Sequence, residues 1–213
     1  MHANLPNILT LSRILAIPVV CVLLLPEAAW VGWLALAVYV YAGVTDFLDG
    51  YLARRWHQQS SFGRFLDPIA DKLLVASILL VLVGDDRVVG VHILPAAVIL
   101  CREILVSGLR EHLAELQVRM PVSRLAKWKT TIQMVAIGFL VVGEAGPAWG
   151  PVTTPTVGIA GLWAAAGLTL VTGYDYLRAG LGHMGDDDRA RPEAETAARH
   201  RAGGPSGAAE DVR

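Results

Sequence analysis

Six apolar stretches, each close to the ~20 residues that cross a bilayer, divide most of this chain. They cover residues 8–25, 30–48, 68–84, 91–109, 131–149 and 157–181. In lipid, every backbone N–H and C=O must be satisfied within its own segment, so such stretches are helices. The expected fold is an all-α integral membrane protein with six transmembrane helices. Composition agrees: 54% of the residues are hydrophobic and 17% charged, against about 45–50% and about 25% in soluble domains. The mean hydropathy is +0.49. These proportions exclude an ordinary cytosolic enzyme, a disulfide-stapled secreted domain and a nucleic-acid binder with a basic surface.

The charges that remain are placed unevenly. Residues 183–213 hold 12 of the 37 and have almost nothing apolar to bury, so they read as a disordered cytoplasmic tail behind a membrane domain of residues 1–182. Only Glu27 lies between the first two stretches, and only Glu144, at the end of the fifth, lies near the junction of the last two. Arg87, directly after Asp85 and Asp86, is the one basic residue between stretches three and four, and the other 17 Lys and Arg lie on the opposite side or in the tail. Positive residues stay cytoplasmic, which puts both termini and the 2–3 and 4–5 connections inside. Arg13 precedes an apolar run of signal-peptide length, but no small-residue cleavage site follows, so the first stretch is expected to remain as a span. Cys21 and Cys101 lie within apolar runs and read as small buried hydrophobes. Trp30, Trp33 and Trp149 read as interface anchors, and Asp175 with Arg178 as a local interfacial pair.

The chemistry is concentrated between residues 46 and 71, where the second stretch ends and the third begins. The segment reads Asp46-Phe-Leu-Asp49-Gly50-Tyr-Leu-Ala53-Arg54, eight residues, then Gly63-Arg-Phe-Leu-Asp67-Pro-Ile-Ala-Asp71. Asp46 and Asp49 are i and i+3, Asp67 and Asp71 are i and i+4, so each pair shares a helix face. Antiparallel neighbouring helices would bring all four together. Four unpaired carboxylates at membrane depth repel one another, and Lys72 alone cannot neutralise them. A divalent cation with all-oxygen ligands, Mg²⁺ or Mn²⁺, would. Gly50, Ala53 and Gly63 leave room against the backbone, and Arg54 offers a fork suited to phosphate. Together these residues describe a diphosphate site.

The spacing D-x-x-D-G-x-x-A-R-x8-G-x3-D-x3-D resembles the signature of the CDP-alcohol phosphatidyltransferases at every fixed position. Eight fixed positions at roughly 6% each coincide by chance about once in 10⁹–10¹⁰ starts, so helix capping and ordinary turns do not account for the pattern. Three further segments resemble the phosphatidylglycerophosphate synthase branch: Asn4 to Arg13, Arg102 to Glu111, and Lys127 to Met134. The resemblance covers roughly residues 4 to 180. It implies transfer of the phosphatidyl group of CDP-diacylglycerol to sn-glycerol 3-phosphate with release of CMP. It also implies two divalent ions on Asp46, Asp49, Asp67 and Asp71, with Asp71 also the base. Gly50, Arg54 and Ser60 match positions that contact the CDP moiety. A homodimer in the cytoplasmic membrane, with its site facing the cytoplasm, is implied as well.

An acceptor that carries a phosphate needs a further anion-binding group. Arg110, Lys127 and Lys129 are basic residues of the kind expected at cytoplasmic helix ends, where they snorkel to headgroups. Their match to the family segments makes them candidates for the acceptor phosphate. Thr10 and Arg13 share a helix face near the same level and are expected to line the pocket. Arg102 and Glu103 lie deeper, as functional groups or as a salt bridge within the bundle. Two other acceptors remain open within the family, an inositol phosphate and phosphatidylglycerol. Outside it, a divalent-cation transporter is disfavoured, because its carboxylates would sit near the bilayer midplane.

Overall fold

Apolar residues all round a helix signal burial in protein on one side and in lipid on the other, and the described helices have that character. The computed structural model describes residues 5–55, 61–115, 124–174 and 176–178, without the side chains of Leu5, Pro6, Ala53, Arg54, Ser61, Phe62, Arg64, His112, Glu115, Arg124 and Ala126. Five helices run in order: α1 (Leu5–Leu24), α2 (Ala29–Arg55), α3 (Ser61–Gly84), α4 (Ile93–Glu115) and α5 (Arg124–Val142). A sixth, α6, covers residues 154–173. Short 3₁₀ turns at Gly90–His92 and Gly143–Ala145 precede α4 and follow α5. No strand occurs among the described residues. From Tyr174 onward the chain belongs to a second unit, of which Tyr174 and residues 176–178 are described, all helical. Asp175 and the tail beyond residue 178 lie outside the described residues.

Among the described residues, four helices are long and apolar enough to cross a membrane: α1, α2, α4 and the helix that opens at Thr154. α3 and α5 carry Asp67, Asp71 and Lys72, and Lys127 and Lys129, in their first halves, which lowers their apolar content. Helix ends depart from the expected spans at these charged ends. α2 continues to Arg55 and α3 begins at Ser61, so the whole aspartate motif except residues 56–60 is helical. α5 stops at Val142 rather than 149, because Gly143 takes a left-handed conformation at φ 58° that favours glycine.

Ala16, Val20 and Leu24 of α1, Leu74 and Ile78 of α3, Ile137 and Leu140 of α5 and Leu162 of α6 form one buried cluster. Outward-facing residues are equally apolar; Leu80 is 71% exposed, an arrangement that suits lipid contact. α6 approaches α5 closely at Gly158 and Gly161, where an added Cβ would lie 2.7 Å from Leu140 Cγ and 2.8 Å from Ala136 Cβ. Small residues let membrane helices pack this tightly. Cys101 is exposed and Cys21 half-buried, so neither is the fully buried thiol expected. Cys101 stands on an outward face of α4.

Arg87 explains its own exception to the charge pattern. Its guanidinium donates to the carbonyls of Leu24 at 3.0 Å and Val141 at 2.9 Å, and to Asp85 at 2.7 Å. Helix C-termini leave carbonyls without intrahelical partners, and one arginine satisfies two such ends at once. It ties the ends of α1 and α5 to the turn after α3.

Candidate active site

α1 carries the organising side chains. It packs extensively against both α2 and α3, which have no comparable contact with each other. The expected direct pairing of the two aspartate helices is therefore corrected: α1 mediates it. Thr10 and Arg13, one turn apart, both point at the aspartates. The Thr10 hydroxyl lies 3.1 Å from Asp49 Oδ2 and 2.9 Å from Asp67 Oδ1, and so joins a carboxylate of α2 to one of α3. Arg13 Nη1 donates to Asp46 Oδ1 and Nη2 to Asp49 Oδ2. Arg13, Thr10 and Asp49 are buried, whereas Asp46 is partly open. Both α1 residues were legible as one helix face; that Arg13 pairs with two of the four carboxylates was not. Lys72 turns away to Glu111 of α4 at 3.6 Å.

The donor set suits a hard divalent cation, being carboxylate oxygen throughout with no His or Cys among it. As these side chains are seated, no three His, Cys, Asp or Glu residues among those described form a group that could hold a metal ion. Arg13 and Thr10 stand between the carboxylates instead. Gly50 is half-buried in α2 and Gly63 buried in α3. Ser60 and the side chains of Ala53 and Arg54 lie outside the described residues, so the CDP-contacting set is described only at Gly50.

A groove of about 700 Å³ opens from the cluster along α2 and α5. Arg13, Asp46 and Asp71 line one end, and Trp33 and Trp149 line it as well, at the far end of α2 and beyond α5. Its middle is apolar, with Val40, Gly43, Met134, Val135 and Gly138 among its walls. From Asp46 to Trp33 is 13 residues of helix, ~20 Å at ~1.5 Å per residue, longer than one leaflet of a hydrocarbon core ~30 Å thick. Tyr39 pins α2 to α5 beside it, its hydroxyl donating to the Met134 carbonyl at 3.0 Å.

The basic acceptor candidates separate. Arg110 on α4 and Lys127 on α5 are exposed, and Lys129 is buried. Lys129 Nζ donates to Glu103 Oε1 of α4. A buried ammonium needs a counter-charge, and Glu103 supplies it. Arg102 approaches Glu103 at 3.9 Å and Thr172 of α6 at 3.2 Å. The intrahelical polar pair of α4 thus links three helices.

The model of the CDP-alcohol phosphatidyltransferase family matches residues 3–171. The chain belongs to this family. Relatives named CDP-diacylglycerol–glycerol-3-phosphate 3-phosphatidyltransferase are similar over most of their length. One from Cereibacter sphaeroides is 40% identical over 220 residues, covering 88% of this chain and all of the relative. One from Rickettsia typhi is 47% identical over 176 residues, covering 83% and 96%. One from Salmonella choleraesuis is 42% identical over 189 residues, covering 87% and 100%. As a member of the CDP-alcohol phosphatidyltransferases the chain is an enzyme, a transferase of phospholipid biosynthesis.

Proposed function

We propose that this transferase moves the phosphatidyl group of CDP-diacylglycerol to sn-glycerol 3-phosphate, forming phosphatidylglycerophosphate and CMP. The convergence of Asp46, Asp49 and Asp67 on the Thr10–Arg13 face of α1, at the head of an apolar groove, carries the reading. A polar head beside a lipid-length channel suits a donor with a diphosphate and acyl chains. The names of the relatives support the acceptor.

Asp46, Asp49, Asp67 and Asp71 would hold two divalent ions, Mg²⁺ or Mn²⁺, which supply charge stabilisation at the diphosphate. Gly50, Ala53 and Gly63 leave space for the CDP end, and Arg54 and Ser60 bind it. The groove receives an acyl chain, which excludes water from one side of the reacting phosphate. Arg110, Lys127 and Lys129 attract the acceptor phosphate. Asp71 takes the proton of the acceptor hydroxyl as its oxygen bonds to the phosphatidyl phosphorus. The bond from that phosphorus to the bridging oxygen breaks, and CMP leaves with that oxygen. The protein spans the cytoplasmic membrane six times with both termini and the site on the cytoplasmic face, and acts as a homodimer.

An acceptor panel tests this. Purified protein with CDP-diacylglycerol and Mg²⁺ should release CMP with glycerol 3-phosphate, and not with inositol phosphate or phosphatidylglycerol. CMP release driven by either of the latter alone would reassign the acceptor.

A further inference from the structure

Arg13 has no exposed side-chain surface, and its terminal nitrogens end on Asp46 Oδ1 and Asp49 Oδ2. A guanidinium buried this deeply is tolerated only while paired, and its planar fork suits two acceptor oxygens held side by side. The seat is incomplete. Its buried Nε has no hydrogen-bond partner among the described residues, so the group is held at its tip. Asp49 Oδ2 also accepts from Thr10 at 3.1 Å. The oxygens that Arg13 occupies belong to the carboxylates whose chemistry suits a hard cation. A divalent ion and a guanidinium on the same oxygens would crowd three positive charges into a low-dielectric site, where like charges repel strongly.

We propose that Arg13 is an internal counter-ion that a divalent cation displaces from Asp46 and Asp49, so that seated guanidinium and bound metal are competing states of one site. The inference rests on the metal-dependent reading of the transfer. Before the cation arrives, Arg13 offsets the repulsion among the carboxylates and keeps α1 and α2 in register. Arg13 lines the groove beside Asp46 and Asp71, so the side chain, once displaced, would turn toward it. That places a phosphate-seeking fork next to the donor's diphosphate.

Mn²⁺ binding to the purified full chain in detergent micelles, read from the EPR signal of free Mn²⁺, tests the competition. Wild type, Arg13→Gln and Arg13→Lys would be compared, with melting temperatures in EDTA and in Mn²⁺. Arg13→Gln should bind Mn²⁺ at least about tenfold more tightly, the equivalent of one lost charge-assisted contact to the competing group. It should melt below wild type in EDTA and recover more on adding Mn²⁺. Arg13→Lys keeps the charge without the fork and should fall between the two; it serves alone if Arg13→Gln does not fold. Equal or weaker Mn²⁺ binding in the folded variants overturns the displacement and leaves metal-dependent transfer standing. No Mn²⁺ binding by the wild type overturns both.

Discussion

Lys129 of α5 is hydrogen-bonded to Glu103 of α4, and only 3% of the lysine side chain is exposed. The acceptor phosphate must therefore compete with a carboxylate for this cation, whereas Arg110 is open on the surface of α4. Losing one charge-assisted contact of about 1.5–3 kcal/mol raises acceptor KM about ten- to 150-fold when binding is lost equally in ground and transition states. Arg110→Gln and Lys129→Gln should each do so, with donor KM little changed. Steady-state kinetics in both substrates check it. Unchanged acceptor KM in both variants returns Arg110 to headgroup contact and Lys129 to its structural pairing with Glu103.

The same pair makes a stability prediction. Lys129→Gln leaves Glu103 partly buried without its counter-charge, a loss of about 3–5 kcal/mol for a fully buried pair and less here, since Glu103 retains 21% exposure and Arg102 nearby. Adding Glu103→Gln should restore much of the melting temperature without restoring acceptor KM. A double variant that recovers both would show that Lys129 acts only through packing.

Asp46→Asn, Asp49→Asn and Asp67→Asn should each abolish nearly all CMP release, since catalysis by such a site is mainly electrostatic. EDTA should silence the wild type, and Mg²⁺ or Mn²⁺ should restore it. Full CMP release in excess chelator contradicts the two-metal reading.

Gly138 faces the groove, with Leu36 Cδ1 3.4 Å and Tyr39 Cε1 3.6 Å from the position of an added Cβ. Those are ordinary contacts, so Gly138→Ala should keep its activity. Gly138→Phe fills the groove and should raise the KM for CDP-diacylglycerol, leaving that for glycerol 3-phosphate near wild type. Equal donor KM in both variants would remove the acyl chain from this groove.

Topology is open to cysteine labelling in a background with Cys21 and Cys101 replaced. Ser60→Cys and Ser206→Cys should react only from the cytoplasm and Ala148→Cys only from outside. Ala148 is chosen over Gly146 because a Cβ at Gly146 would lie 2.3 Å from Thr154 Oγ1. Labelling of Ser60→Cys and Ala148→Cys from one side contradicts six spans.

The local periodicity of the aspartates was readable from spacing alone, as was the shared face of Thr10 and Arg13, because helix geometry fixes which residues are neighbours. The placement of α1 between α2 and α3 was not. A helix that is largely apolar all round carries little direction in its sequence, and Thr10 and Arg13 reveal which face of α1 meets the aspartates. Glu103 and Lys129 lie 26 residues apart, and nothing local in either segment names the other as partner. Arg87 looked like a stray charge in an outer loop because its two acceptors are backbone carbonyls, which any residue could supply.

One labelled reaction identifies both the transferred and the accepting group. Purified protein would be given CDP-diacylglycerol, Mg²⁺ and glycerol 3-phosphate labelled in its glycerol carbons, with lipid and aqueous products resolved by mass spectrometry. Labelled phosphatidylglycerophosphate and CMP should form in equal amounts. CMP formed without label in the lipid, or no CMP at all, would contradict the proposed transfer.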